Sequence, residues 1–278
     1  MSVEIAYQDI DNHEAVKVES KTDTERLASV VGALRSDISI QIQTKQVHKA
    51  WLGKSRNQAE EERQAAQENA KNIHSVMGVP RFFQLVTALE NAVKKDDPFA
   101  DYVFYQLHNE IDSERAEVNE QIDSLNEYMK DKMPSGISLS KNYSVDPVSV
   151  PLAINTRLGF LLVYLVLEVD ELIRLILLAS HCALLSPKNA SDATFKATKR
   201  IRRAMSFVHR YKFSEVTRDD LAANNARAQE AFKRMPDIEL PDEFKDATTR
   251  SALAPTINAR PDALNVDNDN FFKASGIC

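Results

Sequence analysis

The chain has 278 residues, of which 43% are hydrophobic and 27% are charged, with a formal net charge of −6 and a mean hydropathy of −0.37. These values are typical of a globular protein that buries a substantial core. The six glycines are too widely spaced for a dinucleotide-binding G-x-G-x-x-G loop or a Walker A phosphate loop. Low glycine content with abundant Ala, Leu, Glu and Lys predicts a mainly α-helical fold.

The cysteine pattern and the first residues indicate a protein of the reducing cytoplasm. Cys182 and Cys278 form no C-x-x-C pair, and the N-terminal residues have neither the basic nor the apolar region of a secretory signal. The most apolar stretch, residues 158–185, is interrupted by four charged residues near its middle. Because neither apolar half reaches the ~20 residues of a membrane span, we expect a helix buried in a core or in a dimer interface, with no membrane contact.

The N-terminal half predicts an acidic arm, a strand and a long helix. Residues 1–30 are polar and aperiodic, which is typical of a mobile arm. Near residues 37–43, isoleucines alternate with polar residues, and this period of two predicts a half-buried strand. Thr44 is the expected N-cap of a short helix. Further along, Asp97 and Pro98 are the residue types that begin a helix, here one that should reach about Lys132.

The C-terminal half predicts a second strand and three helices. The strand lies near residues 148–154, and Thr156 follows it as the expected N-cap of the apolar helix. A basic helix should begin at Ser191 or Asp192, and another helix should span 214–234. Together these elements predict one helical domain over residues 31–235, and the prolines and polar residues beyond it predict a loose C-terminal tail over 236–278.

The two predicted strands belong to a repeated unit. Residues 38–45 and 150–157 share the pattern aliphatic, x, aliphatic, x, Ile, amide, Thr, base, and a helix is predicted after each. A strand in a helical protein must pair, because its backbone N–H and C=O groups need partners. We therefore predict a mainly α fold with a short two-stranded antiparallel β-ribbon, formed either within one chain or between two chains.

A two-stranded ribbon fits the DNA major groove, and amide side chains can pair with adenine. The face expected to read bases consists of Ser39, Gln41, Gln43, Ala153 and Asn155. The cations that follow the strands, together with the N-termini of the two helices after them, are expected to contact phosphates. These cations are Lys45, Lys49 and Arg157. The alternative is a small hairpin that caps a helical bundle, with a polar face that is only solvated.

The charge distribution supports a nucleic-acid partner despite the negative net charge. Residues 196–212 carry seven basic residues and no acid. Arg200 and Arg203 would lie on one face of this helix, opposite an apolar stripe, where they could hold phosphates beside the groove. The alternative is a solvated face that contacts no ligand.

Enzyme chemistry is not indicated. No histidine or cysteine has the spacing of zinc ligands, and the sequence contains no nucleophile elbow. We predict a protein that is not an enzyme, with no catalytic residues, metal or cofactor.

Three segments carry a family resemblance: the Leu-x-Ser-x-Ile-x-Ile-x-Ile-x-Thr run within residues 32–54, the Asp-Asp-Pro-Phe-Ala-Asp motif at 96–101, and residues 151–183. They resemble the AcaB-type transcriptional activators of conjugative plasmids and integrative conjugative elements, over most of residues 30–210. The resemblance implies a cytoplasmic, plasmid-encoded activator with a ribbon-helix-helix-like DNA-binding element embedded in a larger helical domain, acting on a promoter for conjugation regulators.

The expected partner is double-stranded DNA at a promoter or operator, bound by a homodimer, and RNA polymerase is a further candidate partner. The rival hypothesis is a non-enzymatic helical scaffold or interaction protein of a conjugation apparatus, in which the basic helix binds an acidic partner.

Overall fold

The computed structural model describes residues 38–65, 74–137 and 143–258, and most of them lie in helices, as the composition predicts. The predictions for residues 1–30 and for 259–278 fall outside the described residues. The two strands are β1 (Ile38–Ile42) and β2 (Val148–Leu152). The helices are α1 (Lys45–Leu52), α2 (Arg56–Ala65), α3 (Val79–Lys94), α4 (Pro98–Lys132), α5 (Arg157–His181), α6 (Pro187–Ser206), α7 (Arg218–Ala222), α8 (Ala226–Arg234) and α9 (Asp242–Lys245), with a 3₁₀ helix at Phe207–Arg210.

The predicted antiparallel ribbon is confirmed, and it forms within one chain. β1 pairs with β2 so that Ser39 lies opposite Pro151 and Ile40 opposite Val150. Ile40 and Ile42 are buried against the helices. Pro151 cannot donate a ladder hydrogen bond, and a two-stranded ribbon tolerates it because each strand has a free edge.

The repeated unit has the same backbone at both of its strand-to-helix joints. Thr44, at φ −118° and ψ 142°, caps α1, and Thr156, at φ −121° and ψ 141°, caps α5. Each threonine hydroxyl accepts a hydrogen bond from the backbone N–H three residues later. Because an N-cap residue needs extended backbone and a short polar side chain, the shared Thr has the same physical role in both units.

The core is built around α5, which packs against α4 and α6. Its fully buried residues recur every three or four positions, including Leu158, Leu162, Leu165 and Ile173. Within the described parts of the chain, no helix is long and apolar enough to cross a bilayer. The burial of these α5 residues in the core of the chain confirms the predicted buried helix.

Two helix boundaries differ from prediction. The basic helix α6 begins at Pro187, not after Ser191 or Asp192, because the Ser186 hydroxyl accepts from the Asn189 N–H. A serine followed by proline is a stronger start signal than a serine within a helical stretch. The single helix predicted over 214–234 is wrong: α7 and α8 are separate there, and Asn224 between them has a positive φ of 47°.

The predicted boundary at residue 236 is also wrong, because the chain beyond it is packed. Ile238, Leu240 and Phe244 are buried in the main core. Arg250 donates to the buried carboxylate of Asp101, at 2.7 Å from Nε to Oδ2. The helical body therefore extends at least to residue 258.

Candidate nucleic-acid interface

The outward face of the ribbon is polar and open. Ser39, Gln41, Ser149 and Pro151 are all exposed, and the register pairs Ser39 with Pro151 and Gln41 with Ser149. Because side chains alternate along a strand, these four share the face opposite the buried isoleucines. The structure thus places two of the predicted base readers, Ser39 and Gln41, side by side with Ser149. Sequence reasoning missed Ser149 because it lies just before the repeated segment, although the alternation of β2 would have indicated it.

The other three predicted readers have different positions. Ala153 and Asn155 are exposed, in the short link between β2 and α5. Gln43 is half-buried and held by the protein itself, since its side-chain Oε1 accepts from the Ser144 N–H at 2.8 Å. The prediction that Gln43 shares the open face is therefore wrong.

Exposed cations flank the ribbon at both ends. Lys45 is the first residue of α1 and Arg157 is the first residue of α5, so the antiparallel pairing puts them at opposite ends of the ribbon. Lys49 follows Lys45 by one turn of α1 and is also exposed. Among the residues that the structure describes, no carboxylate lies within ion-pair distance of Lys45 or Lys49. This region therefore has a positive charge that an anionic ligand could neutralise.

Buried carboxylates accept hydrogen bonds at the two joints that lead into α1 and α5. Asp170, only 2% exposed, accepts hydrogen bonds from the backbone N–H groups of Gln43 and Thr44 and from the Thr44 hydroxyl, at 2.7 to 3.0 Å. Glu90, 8% exposed, accepts from the backbone N–H of Arg157 at the other joint. Burial raises the pKa of the Glu90 carboxyl, against the opposite effect of Lys94 and Arg157. The backbone N–H groups of Gln43, Thr44 and Arg157 therefore have acceptors within the protein, and phosphate contacts at the two helix N-termini stay a prediction.

The two arginines predicted to form a free basic face on α6 bind carboxylates of α4. Arg200 donates to Glu114 at 2.7 Å and also to Glu117, and its side chain is only 16% exposed. Arg203 pairs with Glu110 at 2.9 Å and with Glu114 at 3.3 Å. The prediction of a free basic face is therefore wrong for Arg200, whereas the side chain of Arg203 stays 63% exposed. A signal was present in the sequence, since the three glutamates recur on one face of α4 at helical spacing.

Comparisons with known proteins complete this description. A search of curated protein sequences finds no match. Among solved structures, the chain is similar to the crystal structure of selenomethionine-containing AcaB from uropathogenic E. coli, with a TM-score of 0.48 and 14% sequence identity, covering 76% of this chain and 95% of that one. The family model described as transcriptional regulator AcaB matches residues 30–258. The chain therefore belongs to the AcaB family of transcriptional regulators.

Proposed function

We propose that this transcriptional regulator recognises a specific double-stranded DNA sequence by placing the outward face of its ribbon in the major groove. One observation carries the proposal: a two-stranded antiparallel ribbon has a polar, exposed outer face and an exposed cation at each end. A ribbon of two strands has the width that the major groove admits. The helical body behind the ribbon would remain outside the groove, in the manner of ribbon-helix-helix proteins.

Gln41 is the principal base reader in this proposal. Its carboxamide can donate to N7 and accept from N6–H of adenine as a bidentate pair, and such pairs are worth about 1–3 kcal/mol of discrimination. The hydroxyls of Ser39 and Ser149 lie on the same face and can pair with several bases. Ala153 and Asn155 would extend the contact at the other end of the ribbon, with the methyl of Ala153 suited to thymine.

Lys45, Lys49 and Arg157 would contact the phosphates on both sides of the groove. Such contacts set the register of the protein on the duplex and carry no sequence information. Placing one cation at each end of the ribbon gives the complex two anchors along the groove. The binding energy would then depend on salt, while specificity would depend on the polar face between the anchors.

We further propose that the bound sites control conjugative transfer genes, that the protein acts in the cytoplasm as an activator, and that RNA polymerase is its second partner. A homodimer remains a prediction, because a ribbon formed within one chain needs no second chain. Measurement of the mass in solution, with and without a bound duplex, tests it.

Selection from a random double-stranded DNA library tests the proposed function. The full chain is expected to enrich one sequence motif, and to prefer a duplex of that motif over a scrambled duplex by at least ~10³-fold at physiological salt. A helical scaffold of a conjugation apparatus, the rival hypothesis, would enrich no motif. Equal affinity for the two duplexes would therefore contradict the proposal.

A further inference from the structure

A basic cavity of about 480 Å³ lies between α1, α5 and α6. Lys49 of α1 and Arg202 of α6 are its two charged lining residues, and no carboxylate lines it. Gln46 and Ser191, which also line it, add side-chain groups that can donate hydrogen bonds to an anion. The remaining lining includes small and apolar residues, so the positive charge in the cavity is not neutralised from within.

Arg202 differs from the arginines on either side of it. Arg200 and Arg203 face α4 and bind its glutamates, whereas Arg202 is exposed and faces α1. Among the described residues no carboxylate is paired with Arg202. Among the three arginines of α6, Arg202 is therefore the one with an exposed guanidinium and no carboxylate partner in the described part of the chain.

The cavity shares lining residues with two neighbouring cavities, one of which lies beside the ribbon. Gln46 and Leu177 also line a neighbouring cavity, together with Lys45. Lys45 is the first residue of α1, directly after the N-cap Thr44. Lys49 and Arg202, which line the first cavity, also line a third one of about 530 Å³. Glu61 and Glu62 also line this third cavity, and Glu62 is paired with Lys54. A row of positive charges, Lys45, Lys49 and Arg202, thus extends from the end of the ribbon along α1. Beyond Arg202 the surface carries the acidic side chains of Glu61 and Glu62.

We infer that the cavity between Lys49 and Arg202 binds a phosphate of the DNA backbone. The inference rests on the proposed function, because it requires DNA to lie on the ribbon. The duplex would leave the ribbon at the Lys45 end, and its backbone would follow α1 to reach Arg202. A guanidinium binds phosphate through two parallel hydrogen bonds, and Lys49 supplies a second charge on the other wall.

Substitution of Arg202 by alanine tests this inference, with Arg203→Ala as the matched control on the same helix. The probes are the selected duplex and its scrambled version, with affinity measured between 50 and 200 mM salt. We expect Arg202→Ala to weaken both duplexes by the same factor and to lower the slope of log K against log salt by about one. Arg203→Ala should leave the slope unchanged, because its guanidinium is already paired with carboxylates. Arg202→Lys should retain the slope, because it keeps the charge.

Each contrary outcome has a distinct meaning. An unchanged slope in Arg202→Ala, with a lowered slope in Lys45→Ala, would overturn the Arg202 site and leave the proposed function standing. A loss confined to the selected duplex would also overturn it, since a phosphate contact is independent of sequence. Absence of salt-dependent DNA binding by the unmodified chain would instead overturn the proposed function. Thermal unfolding of each variant is measured in parallel, and an exposed Arg202 predicts no change in Tm.

Discussion

Asp170 lies in the middle of an apolar helix, yet its carboxylate accepts three hydrogen bonds from the joint between β1 and α1. This contact fixes the ribbon to the helical body at the point where Lys45 begins α1. The buried carboxylate is stable here because three donors compensate its lost hydration.

Asp170→Ala leaves two backbone N–H groups and a hydroxyl without their acceptor. We expect a loss of about 2–4 kcal/mol in the free energy of unfolding, since buried donors without partners carry their full desolvation cost. Urea denaturation measures it. The control is Glu171→Ala, the exposed next residue of the same helix, which should change stability by less than about 0.5 kcal/mol. Equal stability of the two variants would show that Asp170 does not hold the joint.

Glu90 gives the second joint a pH dependence. Burial raises its pKa above the usual 4.5, so the folded state disfavours the charged form. The resulting destabilisation is absent below about pH 4.5 and is complete above the raised pKa. Glu90→Gln can still accept from the Arg157 N–H without carrying charge, so it is expected to be more stable than the unmodified chain at pH 7. Thermal unfolding from pH 4 to 7 should show this advantage shrinking as the pH falls, and an advantage that grows on acidification would contradict the assignment.

At the scale of elements, the interface between α4 and α6 includes an ionic contact. Glu114 is only 3% exposed and depends on Arg200 for its nearest charge partner. Basic residues of α6 that the sequence suggested as a DNA clamp instead stabilise the packing of two helices. The exposed positions of the same helix remain available to ligands.

Arg200→Ala tests that structural role. Removing Arg200 takes away the nearer partner of the buried Glu114 and leaves it the longer contact with Arg203 at 3.3 Å. We therefore expect a loss of about 1.5–3 kcal/mol in the free energy of unfolding, the contribution of a charge-assisted hydrogen bond. The salt slope of DNA binding should stay as in the unmodified chain. Lys199→Ala, an exposed neighbour, is the stability control. A stable Arg200→Ala variant with a reduced salt slope would return Arg200 to the DNA interface.

The elements that were predicted correctly depend on local signals. The alternation at Ile38, Ile40 and Ile42 specifies a strand, and the Asp97–Pro98 pair begins α4 through its own hydrogen bonds to the first turn. The buried acceptors at the two strand-to-helix joints could not be predicted, because the carboxylates come from distant positions in the chain. Asp170 is 126 residues from Thr44, and no local pattern relates them.

The same distinction applies to the candidate site. The polar face of the ribbon follows from alternation alone, so Ser39 and Gln41 were predicted from sequence. The role of Arg202 was not, because a run of basic residues does not indicate which of them face acids on a neighbouring helix. The contacts of Arg200 and Arg203 with α4, and of Arg202 with the cavity beside α1, are set by tertiary packing.

At the scale of the whole molecule, side chains of the segment after α6 donate hydrogen bonds to two aspartates at the start of α4. Asp97 accepts from the Tyr211 and Ser214 hydroxyls, both at 2.8 Å. Asp101, which is fully buried, accepts from Arg218 and Arg250. These contacts explain why the chain remains packed well beyond residue 236, where prolines suggested a tail.

Phe244→Ala tests whether this segment contributes to global stability. Phe244 is 3% exposed and packs against Tyr102 and Tyr105 of α4. We expect a loss of about 3–5 kcal/mol in the free energy of unfolding, because the substitution opens a cavity in the core. Phe195→Ala, at a position 62% exposed, is the control and should be close to neutral. If both variants unfold at the same urea concentration, the segment does not belong to the cooperative core.

The central claim of this account is that the outward face of the ribbon reads DNA sequence, and Gln41→Ala tests it most directly. The measurement is the ratio of affinities for the selected duplex and its scrambled version, compared with that of Gln229→Ala, an exposed glutamine on α8. We predict that Gln41→Ala lowers this ratio by the equivalent of about 1–3 kcal/mol and keeps its affinity for scrambled DNA. At one base pair of the motif, the variant should lose its preference. A Gln41→Ala protein with the same ratio as Gln229→Ala and the unmodified chain would contradict the claim.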